Sequence, residues 1–263
     1  MPRSWTHVAG YFALVAVMAF GGTFVAALVV PARLGPSVAW LVKCLIVMSL
    51  VVVLTWIYLR RAGMRWRRYG VGRRSWRYGL GGLVAGLALA AAWSIPVFLV
   101  VPFHWAANET FDCSAFALGT GASIGMGVAE ETGYRTYGMD RLLDLFGPLA
   151  ALLVPTAVFV GVHVAGGVPW LAGLLVVGSS SVMYGCLMLA TRSLPFVAAF
   201  HIANNLGQDA LLRTSTGSLW KPVFHTEVAT ASQPAIWLGM MLLNLLVAAG
   251  AWLAWRRISY RGT

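Results

Sequence analysis

An all-α, polytopic membrane bundle of about eight transmembrane helices, with a polar cavity inside it, is the fold class that this 263-residue sequence predicts. Three observations carry that expectation. The chain is 59% hydrophobic and only 10% charged, whereas a soluble domain carries roughly 25% charged residues. Its apolar residues gather into runs of about twenty, the length of helix that crosses a bilayer. Its basic residues crowd into the links on one side of those runs. Residues 1–263 therefore read as a single transmembrane domain.

The first run, residues 8–30, exceeds a signal-peptide core and has no convincing cleavage site, so it reads as the first span. Residues 38–59, 78–101, 115–138, 148–165, 168–190, 194–212 and 235–255 supply the others. Backbone groups in lipid must pair within their own segment, and these runs are too long for barrel strands, so each is expected to be a helix. The short later links predict antiparallel neighbours. Gly79-x-Gly81-Gly82-x-x-x-Gly86 predicts a close helix contact, because small residues let backbones approach. Trp5, Trp40, Trp93, Trp105, Trp170, Trp220, Trp237 and Trp255 are expected mostly at span ends, as an aromatic belt.

With the amino terminus inside, the inner links collect Arg3, the eight arginines of residues 60–77, Arg135, Arg141, Arg192, Arg256, Arg257 and Arg261. The outer links hold Arg33, Arg213 and Lys221, while Lys43 lies within the second span. This asymmetry places both termini in the cytoplasm, and the composition suits a bacterial cytoplasmic membrane. The net charge of +11 does not point to nucleic acid, since its largest block is the basic loop at residues 60–77, which is expected to face anionic lipid. Cys44, Cys113 and Cys186 show no C-x-x-C spacing, which argues against a disulfide framework or a cysteine zinc site. His7, His104 and His225 fall at edges or in links and are expected to play no catalytic part.

Few strongly polar residues remain inside the spans: Lys43, Glu130, Glu131, Arg135, His163, His201, Asn204, Asn205 and Asn244. A charge deep in a bilayer costs at least about 2.5–3.5 kcal/mol on insertion scales, so adjacent glutamates there call for a chemical reason. With the turn between the fourth and fifth spans placed at Gly147-Pro148, Glu131 lies sixteen residues before Gly147 and His163 sixteen after it. The two should share a depth about 24 Å from that turn. Counted from Arg192, His201 falls nearer the cytoplasm than this pair unless its helix is tilted or broken. Consecutive helical residues point about 100° apart, so Glu130 and Glu131 cannot face the same way. Arg135 is four residues from Glu131, which makes Glu131 its ion-pair partner and leaves Glu130 free as a base. The span after His163 offers no polar residue that can be placed in the site.

These residues spell E-E-x-x-x-R (Glu130, Glu131, Arg135), then F-x-x-x-H (Phe159, His163), then H-x-x-x-N (His201, Asn205). Over residues 115–212, the core that carries these motifs, the order and setting resemble the CPBP intramembrane protease family. That family includes CAAX prenyl-endopeptidases and Abi-type bacteriocin-processing or immunity proteins. Thr136 stands where the family often has glycine. The resemblance implies an intramembrane endopeptidase acting on a membrane-associated peptide or protein. Glu130 and His163 would activate a water, His201 and Asn205 would stabilise the oxyanion, and Glu131 and Arg135 would support them. Glu130, His163 and His201 could also hold a divalent metal such as zinc, although H-E-x-x-H is absent. Two other classes suit the same polar residues. One is a proton-coupled transporter, against which stands the lack of internal repeats. The other is a non-catalytic immunity or scaffold protein of the same fold.

Overall fold

The computed structural model describes residues 4–211, 217–224 and 226–261, so Arg3, Leu212, Arg213 and His225 lie outside the described residues. Helices α1 (Trp5–Val29) and α2 (Gly35–Arg61) form a hairpin whose tight link ends at Gly35, with φ of +78° and Pro36 opening the next helix. A short 3₁₀ turn, Trp66–Tyr69, follows. Helices α3 (Ser75–Ala92) and α4 (Ser94–Val100) make one apolar stretch bent at Trp93. The Trp93 indole donates to Asn244 Oδ1 at 3.1 Å, so this tryptophan is a buried strut and not part of an aromatic belt.

Strand β1 (Phe103–Ala107) precedes α5 (Cys113–Arg135), which Asp112 caps by accepting from the Ser114 amide at 2.8 Å. Helix α6 (Tyr137–Ala165) is interrupted at Gly147, where φ is +81° and ψ −175°. Then come α7 (Trp170–Ala172), a wide π-type turn over Gly173–Gly178, α8 (Ser179–Thr191) and α9 (Leu194–Leu211). Strand β2 (Trp220–Phe224) pairs antiparallel with β1, Phe103 facing Phe224, in a small sheet of which the apolar runs give no sign. Helix α10 (Thr226–Arg261) ends the described chain.

The fold is an all-α membrane bundle. Among the described residues, six helical stretches are long and apolar enough to cross a bilayer: Trp5–Val29, Gly35–Arg61, Ser75–Val100, Cys113–Ala165, Trp170–Thr191 and Thr230–Ile258. The fourth and fifth expected spans share the single 53-residue stretch Cys113–Ala165, and α9 is too polar to be counted among the six. The expected count of eight therefore does not emerge as eight apolar stretches.

Two contacts position the site. Helices α3 and α9 meet backbone to backbone at the predicted glycines: a methyl on Gly82 or Gly86 would overlap the carbonyl oxygens of Phe196 and Phe200. Helix α5 lies against α2, where a methyl added at Gly125 would come within 3.3 Å of the Cys44 backbone. Replacing Gly86 by alanine should therefore force α9 outward and cost about 1–3 kcal/mol, as overpacking does. Thermal unfolding in detergent checks this against Gly10→Ala, a position with open space around it. Equal melting temperatures for the two variants would refute the tight α3–α9 contact.

Candidate active site

The turn that sets the depth of the glutamates is not at Gly147. Helix α5 ends at Arg135, and its cap is Thr136 (φ −111°, ψ −113°), whose hydroxyl donates back to the Thr132 carbonyl at 2.5 Å. Residues 137–146 then form a separate short helix before the kink at Gly147. Glu131 consequently lies four residues, about 6 Å, from the end of its helix, where counting from Gly147 gives about 24 Å. The same correction removes the expected mismatch with His201, which reaches both glutamates.

Glu131 is the buried member of the pair, with 1% of its side chain exposed. Its Oε1 accepts from His201 Nδ1 at 2.8 Å, and its Oε2 lies 3.4 Å from Arg135 Nε, an ion pair without the alignment of a hydrogen bond. Arg135 donates from Nη2 to Ser181 Oγ at 3.0 Å, and that hydroxyl is 2.9 Å from Thr156 Oγ1. The guanidinium also lies 5.6 Å from the Phe159 ring centre. The buried charge is thus met by an opposite charge, a hydroxyl and an aromatic face, the conditions under which a buried pair is tolerated.

Glu130 faces a different way and is more open, at 16% of its side chain. Its two carboxylate oxygens look toward two imidazoles: His163 Nε2 is 3.9 Å from Oε1, and His201 Nε2 is 3.6 Å from Oε2. The backs of both rings are fixed. His163 Nδ1 donates to the Phe159 carbonyl at 2.9 Å, and His201 Nδ1 donates to Glu131. A carbonyl and a carboxylate can only accept, so each Nδ1 carries the proton and each Nε2 is turned toward Glu130. Tyr184 stacks on the His201 ring, centroids 4.5 Å apart and planes 21° apart, and its hydroxyl accepts from Asn204 Nδ2 at 3.4 Å.

A cavity opens from Glu130 and His163 between α1, α2, α5 and α6, walled by Val15, Val47, Val51, Met126 and Val162. It is apolar apart from Glu130, His163 and Tyr134.

The chain thus brings Glu130, Glu131, Arg135, His163 and His201 together. It does not bring Asn205 in: that side chain is half-buried, one turn beyond His201, and makes no hydrogen bond to the others, while its neighbour Asn204 is the residue tied to the site through Tyr184. The span after His163 does contribute polar groups, contrary to expectation. Ser181 and Tyr184 carry no signal in the sequence, because a serine and a tyrosine in an apolar helix resemble ordinary packing residues. Among the described residues no group of three His, Cys, Asp or Glu side chains is gathered tightly enough for a metal ion. Glu130, His163 and His201 remain the side chains that would hold a divalent metal, with 3.6 and 3.9 Å between carboxylate oxygen and ring nitrogen, a few tenths of an ångström beyond the roughly 3.3 Å edge of a zinc tetrahedron.

A second ionic cluster locks the end of the site. Asp140, 2% exposed in its side chain, pairs with Arg68 Nε, with Arg192 Nη1 at 3.1 Å and with the Tyr69 hydroxyl, which donates at 3.1 Å. Burial beside this carboxylate pushes the Tyr69 phenol far above its usual range, and the hydrogen bond to Asp140 holds Arg68 further toward its charged form. Gly70, at φ +71°, fits against Ser193 only without a side chain. Asp140→Asn should loosen this clamp and free the backbone of residues 65–68, whose arginines are already exposed, to enter a protease. Limited trypsin digestion would then cut there at least several times faster than in the parent, and unchanged cleavage would count against the clamp.

Residues 112–207 match the family described as type II CAAX prenyl endopeptidase Rce1-like. No curated protein and no solved structure matches the chain. The matched segment contains every residue of the Glu–His cluster, so it is this stretch of an integral membrane protein that is similar to the Rce1-like family.

Proposed function

We propose that this protein is an intramembrane endopeptidase in which Glu130 activates a water molecule against a peptide carbonyl. One observation carries the reading: two imidazoles, each fixed from behind through Nδ1, present Nε2 to a single carboxylate at distances too long for direct hydrogen bonds. Gaps of that size between polar groups suit a bridging water.

In this mechanism the water is oriented by Glu130 and His163. As its oxygen bonds to the substrate carbonyl carbon, its proton passes to Glu130, with His163 sharing the transfer. The carbonyl oxygen becomes an oxyanion. His201 is placed to donate to it when Nε2 carries a proton, because Nδ1–H is committed to Glu131 and the ring then sits as a cation between two carboxylates. As the C–N bond breaks, the proton held on Glu130 goes to the leaving amine, giving a free acid and a free amine. Asn205 would serve only a substrate that extends one helical turn along α9. Every step uses the chain's own groups, and none is routed through a metal.

The substrate class is a membrane-associated peptide or protein. The apolar walls beside Glu130 support it, because they suit a segment drawn from lipid; the space between them is water-sized, so a peptide would enter as α1, α2, α5 and α6 part. The site lies near the end of α5 that meets the arginine-rich segment, which supports cleavage in the cytoplasmic half of the membrane with both termini in the cytoplasm. Comparative membrane proteomics of the parent and Glu130→Gln tests the reading: peptides cleaved in the parent should accumulate uncut. If Glu130→Gln, His163→Ala and His201→Ala all kept full proteolytic output, the proposal would fail.

A further inference from the structure

The chain's net charge is not spread over the protein. Residues 1–108 contain eleven basic and no acidic side chains, while residues 109–263 contain eight of each. The whole excess of +11 thus belongs to the first 108 residues, and eight of those charges fall within residues 60–77. All eight are arginines in a chain whose lysines are only Lys43 and Lys221. Arginine's planar fork matches phosphate oxygens in pairs, which a lysine point charge does not.

This segment is folded and not a loose tether. Tyr69 is buried, Gly70 packs on Ser193, Ser75 Oγ donates to the carbonyls of Gly70 and Gly72, and Asp140 takes Arg68 inward. One arginine is therefore spent on the clamp. Arg60, Arg61, Arg65, Arg67, Arg73, Arg74 and Arg77 remain exposed, and among the described residues none of these seven has an acidic partner. Two of them stack on exposed tryptophans where spans meet the segment: Arg60 lies over Trp56 at the end of α2, and Arg77 over Trp76 at the start of α3. Indole rings at span ends sit at the level of lipid headgroups, so the stacked guanidinium groups are held at the same level.

We infer that residues 60–77 form a built platform for anionic phospholipid headgroups, pinned under the active-site end of the bundle by Arg68 and Asp140. A headgroup phosphate is favoured over an acidic peptide because the arginines flank the tryptophan-marked ends of two spans, where lipid is the neighbour on every side. The pinning turns flexible charges into fixed ones, which lowers the ordering cost of binding. Asp140 lies five residues beyond Arg135, on the short helix that follows the break at Thr136, so a loaded platform bears on the segment next to the proposed site.

The test needs no peptide substrate. The full chain in neutral detergent is titrated with phosphatidylglycerol, with phosphatidylcholine of the same acyl chains, with sodium phosphate and with a soluble poly-glutamate peptide, and thermal unfolding is followed. Phosphatidylglycerol should raise the melting temperature saturably and more weakly as salt is added, while phosphatidylcholine should not. The variant Arg67→Gln/Arg73→Gln/Arg74→Gln removes three exposed guanidinium groups that take no part in the Asp140 clamp, so it should fold normally. It should need roughly a hundredfold more phosphatidylglycerol for half the shift, at about fivefold per arginine. Asp140→Asn, with its arginines intact, should still respond but at higher lipid concentration. Equal shifts with both lipids, an unchanged response in the triple variant, or a response to phosphate or poly-glutamate at tenfold lower concentration than to phosphatidylglycerol would each overturn the inference. Loss of proteolysis bears on the proposed function and not on this result.

Discussion

Glu130→Gln is expected to lower peptide hydrolysis by about 10²–10⁴-fold while leaving the fold intact, because it removes a general base and little else. The carboxylate makes no direct hydrogen bond to either histidine, at 3.9 and 3.6 Å, and it is the more exposed member of the glutamate pair. An isosteric amide should therefore leave the melting temperature within a degree or two of the parent. Activity is read as accumulation of uncut membrane peptides, and stability as thermal unfolding of the purified variant. A variant that lost activity only together with its fold would show that Glu130 is a structural group and not the base.

Arg135 is expected to behave in the opposite way. Replacing it by methionine strands the buried Glu131 carboxylate, and breaking one side of a buried pair costs about 3–5 kcal/mol. Arg135→Met should unfold at a much lower temperature. The second half of the prediction is the sharper one. Adding Glu131→Gln to Arg135→Met removes the stranded charge, so the double variant should regain much of the lost stability. The side-chain amide oxygen that Glu131→Gln introduces can still accept from His201 Nδ1, so the ring keeps its orientation. If the double variant were less stable than Arg135→Met alone, the pair would not be the electrostatic support described.

The division between the two glutamates is legible in the sequence because it follows from helix geometry. Residues 100° apart point to different sides, and Arg135 at the fourth position chooses Glu131, while His201 reaches both only by turning a different ring nitrogen to each. His163 and His201 are legible for a similar reason: a polar side chain in an apolar helix needs a partner, and few are available. Depth is not legible. Residues 130–141 are mostly polar, so hydropathy does not single out the break at Thr136 among them, and Gly147-Pro148 carries the stronger turn signal. Asp140 is equally hidden. Its partners Arg68 and Arg192 lie 72 and 52 residues away, and no local pattern connects a carboxylate to arginines at such separations.

By itself, then, the sequence determined the class of fold, the glutamate division and the set of groups available for chemistry, since hydropathy and residue spacing act locally along a helix. Tertiary structure alone decided which imidazole nitrogen faces Glu130, that Asn204 and not Asn205 connects to the site, and that the arginine segment is docked and not free. Those outcomes depend on which helices meet and at what height. That is set by contacts such as Gly82 and Gly86 against α9, where the absence of two methyl groups brings His201 up to the glutamates.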